Sequence, residues 1–218
     1  MIYSDYILLI LSCKKYKYKA DVQKDLWLNS IPNSIYYFHI VGDKEICNND
    51  LYYFDFDSNI LYVSTDDDYI SLPHKIITAL RAVNETFDYK YIYKTDDDQM
   101  LLQSNFFIRL SRQLVDKENC HYGGFSIDIK TEICDYYKFH TCLPKNLILR
   151  GTVYCNGRFY LLSKKAVEHL LTHENKIKKH YIEDHAIGLY LSNELKEEML
   201  HFDSNVVFKD MIEYRDDL

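Results

Sequence analysis

At 218 residues, with 47% apolar and 27% charged side chains, the chain has the makeup of one soluble globular domain with a substantial core. Its net charge of −7, with neither half dominated by Lys and Arg, excludes an extended nucleic-acid surface. No apolar run approaches the roughly 20 residues of a transmembrane segment, and no basic region precedes Tyr6–Leu11, so neither anchor nor signal peptide is expected and the protein reads as soluble or cytoplasmic.

Residues 5–12 read as a buried strand that begins the domain at once. A helix over about 16–29 follows, with Tyr18, Val22 and Leu26 recurring every four residues. Lys14, Lys15, Lys17 and Lys19 crowd its start, either as a solvated first turn or as an anion site for a pyrophosphate. Strands are expected over 34–41 and 60–63. Asp66-Asp67-Asp68 then falls in a loop and reads as solvated turn chemistry ahead of the alternative, a metal site. Pro73 suits a first helical turn, and Ile76, Leu80, Val83 and Phe87 lay an apolar stripe behind it.

A strand over 89–94, a helix over 104–116 and strands over 122–128 and 158–162 come next. Residues 132–153, with Pro144 and Gly151 and little periodicity, read as an irregular excursion over the site that shapes an acceptor pocket. Ser163 is the N-cap of a helix carrying Ala166, Val167, Leu170 and Leu171 on one face. The last helix starts at Glu183-Asp184, an acidic pair that the helix dipole favours on structural grounds alone. Strands alternating with helices point to an α/β layer architecture. Six scattered cysteines without a CxxC read as free thiols in a reducing compartment; Cys134 with Cys142 is the one pairing weighed against that.

Asp96-Asp97-Asp98 carries the chemistry. Three carboxylates at the end of a buried strand repel one another unless a cation holds them, and hard divalent ions take carboxylate and phosphate oxygens together. Side chains alternate along a strand, so Asp96 and Asp98 share a side and Asp97 points away. That geometry makes Asp98 the first metal ligand and gives Asp96 the sugar or ribose hydroxyls.

Lys94-Thr95-Asp96-Asp97-Asp98 resembles the K-T-D-D-D segment of the β1,3-galactosyltransferase/Fringe-like glycosyltransferases, family 31 of the GT-A fold. Further pieces follow in that family's order. Ala20 to Trp27 looks like its R-x-A-I-R-x-T-W helix, and Tyr37 to Gly42 like its F-x-x-G strand end. Asp68 to Lys75 is similar to D-x-Y-x-N-L-x-x-K, Tyr154 to Ser163 to Y-x-x-G-x-x-Y-x-x-S, and Ile182 to Leu189 to E-D-V-x-x-G. The chain also resembles the minimal, anchor-free glycosyltransferase domains of some large DNA viruses, which implies a virus-encoded enzyme acting in a host cell.

The resemblance implies a single GT-A (Rossmann-like) domain with a mixed, mostly parallel sheet flanked by helices. A nucleotide-sugar half would span about 1–102 and an acceptor-side half about 103–218. It implies an inverting transferase moving a sugar from a UDP-linked nucleotide-sugar donor to a glycan or glycoconjugate hydroxyl, with Mn²⁺ or Mg²⁺ as cofactor. Asp184 takes the place of the general base, with Glu183 in reserve, and Asp184 is expected to be ionised because backbone N–H groups hold it. His201 matches the C-terminal histidine that completes many such metal sites beside Asp96 and Asp98. Asp96, Asp97, Lys75, Cys13 and Gly157 are the donor-side candidates: Lys75 to pair with the diphosphate or Asp96, Gly157 for close backbone approach or a plain turn. Strand ends at Ser12-Cys13 and Val41-Gly42 should line the uridine pocket. His185 replaces the family's valine and, with Tyr154, falls on the acceptor side. Two rival readings are an aspartyl-phosphatase nucleophile, which belongs after a first strand, and a degenerate sugar-nucleotide or glycan-binding module.

Overall fold

The computed structural model describes residues 1–117 and 119–211. Apart from a short parallel pair, Ile2–Tyr3 with Phe87–Asp88, the strands in chain order are β1 (Tyr6–Leu11), β2 (Ile35–Gly42), β3 (Tyr52–Asp55), β4 (Ile60–Val63), β5 (Tyr91–Asp96) and β6 (Gln99–Leu101). They continue as β7 (Tyr122–Ile129), β8 (Glu132–Ile133), β9 (Ile148–Leu149), β10 (Thr152–Ser163), β11 (Leu200–His201) and β12 (Phe208–Asp210). The principal helices are α1 (Lys17–Leu26), α2 (Leu72–Thr86), α3 (Phe106–Asp116), α4 (Lys164–Leu171) and α5 (Glu183–Tyr190). Eight strands form one sheet in the order β11-β7-β10-β5-β1-β2-β4-β3.

β5, β1, β2 and β4 run parallel, while β10 lies antiparallel to both β5 and β7. Every residue of β1 is buried because helices cover both sheet faces, and such strands read as continuous apolar runs. Ile7, Leu9, Phe38, Ile40 and Ile92 pack on the side of α2, α4 and α5. Leu8, Ile10 and Tyr93 pack on the other side, against Trp27 and α3. The mixed, mostly parallel sheet and its flanking helices match the expected architecture. Its parallel strands end at Leu11, Gly42, Val63 and Asp96, so their carboxyl ends share one rim.

Four elements depart from the sequence reading. Tyr18 and Leu26 of α1 are exposed and Val22 is only half-buried; the face toward the sheet is Ala20 and Gln23, continued by Trp27. A four-residue apolar spacing therefore picked the wrong side, because the buried side is held by a polar residue with its bonds satisfied. β10 begins at Thr152, six residues before the expected start, and carries a register shift between Cys155 and Tyr160 that hides its periodicity. The excursion is less irregular than expected: β8 pairs with β9, and Cys134, Leu143, Leu149 and Ile182 make a small core beneath it. Asp67 is not a solvated turn residue, since it accepts from the backbone N–H groups of Gly42 and Lys14 and from Lys75. Ser163 does cap α4, accepting from Ala166 N, and all six cysteines are free thiols.

Candidate active site

β5 delivers Lys94 and Asp96 to the same face of the sheet, two residues apart, where α5 brings Glu183 and Asp184. Lys94 is 1% exposed. Its Nζ donates to Asp96 Oδ1 at 2.7 Å and to Gly157 O at 2.7 Å, and lies 3.2 Å from Glu183 Oε2. Glu183 Oε1 accepts from the Tyr160 hydroxyl at 2.5 Å. Gly157 donates its N–H to Asp184 Oδ2 at 2.8 Å, and His185 donates its N–H to Asp184 Oδ1 at 2.7 Å. One residue of β10 thus touches both the lysine, through its carbonyl, and Asp184, through its N–H.

A single cation serves three acidic groups here, and the proton affinities follow. Burial pulls Lys94 down, but Asp96 and Glu183 outweigh it and hold the ammonium above its usual range. Burial pushes Asp96 up to about 6, against the pull of Lys94. Glu183 and Asp184 are both raised by burial, with Lys94 opposing. The expected depression of Asp184 is therefore reversed: its two backbone donors are present, and loss of water outweighs them. Burial, then the charge of Asp184, raises the phenols of Tyr69, Tyr136 and Tyr154. Tyr69 also stacks on His140 of the excursion, with ring centroids 3.9 Å apart.

Asp97 turns to the opposite face, as alternation requires, where its Oδ2 accepts from Ser12 Oγ at 2.9 Å. Burial pushes it up to about 7. On that side a cleft of about 380 Å³ opens between α1 and the ends of β1, β2 and β4; Ser12, Cys13, Lys14, Lys17, His39 and Tyr62 help line it. Two of the four clustered lysines thus face this cleft. Asp98 Oδ1 accepts from Gln99 Nε2, which also donates to Asp210 Oδ1 on β12.

Several candidates are not where the sequence put them. Lys75 Nζ is committed to Asp67 Oδ1 at 2.6 Å and Ser12 O at 2.8 Å, so it braces the strand-end loops instead of meeting Asp96. His201 sits on β11, separated from β5 by β7 and β10, and its Nδ1 meets Ser126 Oγ; it does not join Asp96 and Asp98. The His185 ring is buried and its Nε2 donates to Arg150 O, so its tie to Asp184 is through the backbone. Gly157 is neither a turn nor an open loop. A Cβ there would stand 3.3 Å from both Asp184 Oδ2 and Lys94 Nζ, so a larger residue would crowd both groups. Tyr154 is buried, its ring edge-on to His185.

Among the described residues, no group of three His, Cys, Asp or Glu side chains is gathered to hold a metal. Asp96 and Asp98 are both half-buried at the rim. Such a pair suits an ion that takes one or two carboxylates and completes its shell with phosphate oxygens and water. Lys94, Tyr160 and Gln23 were missed as site residues. Lys94 had a readable signal, its i,i+2 relation to Asp96, whereas Tyr160 and Gln23 come into place only through tertiary packing.

Fold and site define a mixed α/β protein with a carboxylate-lined rim at the carboxyl ends of its parallel strands, where open sheets bind ligands. The chain belongs to the galactosyltransferase family, whose model matches residues 24–199. It is similar to UDP-GalNAc:beta-1,3-N-acetylgalactosaminyltransferase 2 of Xenopus tropicalis, 22% identical over 134 residues that cover 62% of this chain and 27% of that protein. The Homo sapiens protein of the same name is 24% identical over 137 residues, covering 62% of this chain and 26% of its own. The match thus spans about a quarter of the length of these curated relatives. Solved structures similar to the chain include the galactosyltransferase LgtC with donor and acceptor sugar analogs (TM-score 0.47, 13% identity, 91% of this chain and 74% of that one). Another is a glycosyltransferase involved in glycosylation of the major capsid of PBCV-1 (TM-score 0.49, 12% identity, 91% and 82%). No helix among the described residues is long and apolar enough to cross a membrane.

Proposed function

We propose that this chain is an inverting, metal-dependent glycosyltransferase that moves a sugar from a UDP-linked donor to a hydroxyl of a glycan or glycoconjugate. The observation that carries the reading is the chain of contacts that links Asp96 to Asp184 through Lys94 and Gly157. Two sequence-distant carboxylates are thereby held on one rim, at the place where a sugar–phosphate bond would lie.

Asp96 and Asp98 would hold Mn²⁺ or Mg²⁺, which when bound neutralises charge on a departing diphosphate. The cleft under Ser12 and Cys13 takes the nucleoside, and Lys14 and Lys17 supply positive charge along its edge. Asp184 accepts the proton of the acceptor hydroxyl; a carboxylate raised toward neutrality by burial is a stronger base than an ordinary one. Glu183 is a strut: it is buried where Asp184 is half-buried, and its oxygens hold the Tyr160 hydroxyl and the Lys94 ammonium. Tyr69, packed against the small core that contains Ile182 and stacked on His140, offers an aromatic surface for an acceptor sugar.

The test is a nucleotide-sugar panel read by nucleotide release with and without Mn²⁺, followed by NMR of the product anomer. Asp184→Asn is expected to bind donor normally and lose about 10²–10⁴ in transfer rate. Equal loss of binding and turnover would remove Asp184 from the role. Donor binding with neither transfer nor hydrolysis would instead favour a binding module.

A further inference from the structure

Behind the cleft lies a histidine whose hydrogen-bonding state is dictated from the acidic rim. Gln23, fully buried on α1, donates both amide hydrogens to backbone carbonyls, Asp96 O at 3.0 Å and Gln99 O at 2.8 Å. Carbonyls only accept, so the amide has one possible orientation, and its Oε1 meets His39 Nε2 at 3.0 Å. Nε2 must therefore carry the hydrogen. Burial, helped by the charge of Lys24, pushes the His39 imidazole down to about 3, so the ring is neutral and Nδ1 is a bare acceptor. Among the described residues nothing donates to Nδ1. The ring is 1% exposed and lines the cleft with Ser12, Val41 and Tyr62. A buried acceptor without a donor is unfavourable, and a ligand that supplies the donor recovers the loss.

We propose that His39 Nδ1 reads the base of the bound nucleotide, selecting one whose ring nitrogen presents an N–H on its pairing edge. Uracil N3–H and guanine N1–H meet that demand. Cytosine sets its own N3 lone pair against that of Nδ1. This assignment rests on the nucleotide-sugar reading of the cleft, and names the residue within it that sets base selectivity. Gln23 acts as the positioning residue: its amide transmits the fixed polarity of the Asp96 and Gln99 carbonyls to the imidazole.

Calorimetry with UDP, CDP, GDP and 3-methyluridine diphosphate, on the full chain with Mn²⁺ present, tests it. The wild type should bind UDP about tenfold or more tighter than CDP and 3-methyluridine diphosphate, because a site built for a donor rejects analogues that lack it. In His39→Phe the three pyrimidine affinities should converge. A GDP affinity above that of UDP, lost in the same variant, would assign guanine as the base. Equal wild-type binding of UDP and its 3-methyl analogue overturns the assignment and needs no variant to fold; so does an unchanged UDP-to-CDP ratio in His39→Phe. A wild-type protein that binds no nucleotide overturns the proposed function as well, whereas binding without base discrimination overturns the role of His39 alone.

Discussion

Lys94 is the residue on which the site's electrostatics turn. Removing it as Lys94→Met leaves Asp96, Glu183 and Asp184 facing one another without a counter-charge, and breaking a buried pair of this kind costs about 3–5 kcal/mol. Adding Glu183→Gln in that background should restore part of the loss, and chemical denaturation of the two variants measures both. Asp97 gives a prediction in pH. Burial raises it to about 7, above its ordinary value, so the folded state binds this proton more tightly than the unfolded one. Its contribution to stability is present below the ordinary carboxylate range and lost as pH rises through about 7. Asp97→Asn keeps an acceptor for Ser12 and should flatten the fall in melting temperature between pH 5 and pH 8 by about 5 °C. Raised Asp96, Glu183 and Asp184 add to the same slope and remain in the variant. At this scale the sequence was half legible: alternation placed Asp96 and Asp97 on opposite faces correctly. Lys75, His201 and the His185 ring were misplaced, because motif order says nothing about which of several acceptors a long side chain will reach.

Among the elements, α5 shows why small residues recur beside the acidic pair. A Cβ on Gly188 would lie 2.2 Å from Tyr154 Cβ, with Tyr154 Cα only 2.7 Å away, so helix and strand touch backbone to backbone there. Gly188→Ala must push α5 off β10, at about 1–3 kcal/mol, and should lower transfer activity along with the denaturation midpoint because Asp184 rides on the displaced helix. An unchanged midpoint would mean that the helix is not docked this closely. The strands and α2, α3 and α4 were readable because their apolar spacing coincides with what they bury. α1 was not, since Gln23 is buried for its bonds to Asp96 O, Gln99 O and His39, a reason that leaves no hydrophobic trace. β10 was cut short for a related reason: Asn156-Gly157 looks like a turn and is a bulge inside a 12-residue strand.

Taken whole, the molecule places its buried carboxylates along a rim where ligands should relieve them. Any ligand that binds only the folded state stabilises it by mass action, about 2.7 kcal/mol at a hundred times its dissociation constant. For a chain of this size, saturating UDP with Mn²⁺ should therefore raise the melting temperature by about 5–10 °C, and Mn²⁺ without nucleotide by less. A thermal scan that fails to move with any nucleotide would argue against the cleft as a donor site. The α/β architecture was legible from strand–helix alternation, and the mostly parallel sheet from the family resemblance. The pairing of β12 with β6, which sets Asp210 beside Gln99 and Arg158, was not, because short edge strands have too little pattern to read.

The bulge in β10 has a consequence for how such a protein could change. Because Gly157 offers its carbonyl to one charged group and its amide to another, the irregular step from Cys155 to Tyr160 works as a gauge block between them. A one-residue insertion or deletion there would reset that spacing while every ionisable side chain kept its identity, so such a lineage could lose or retune its chemistry with all its signature letters intact.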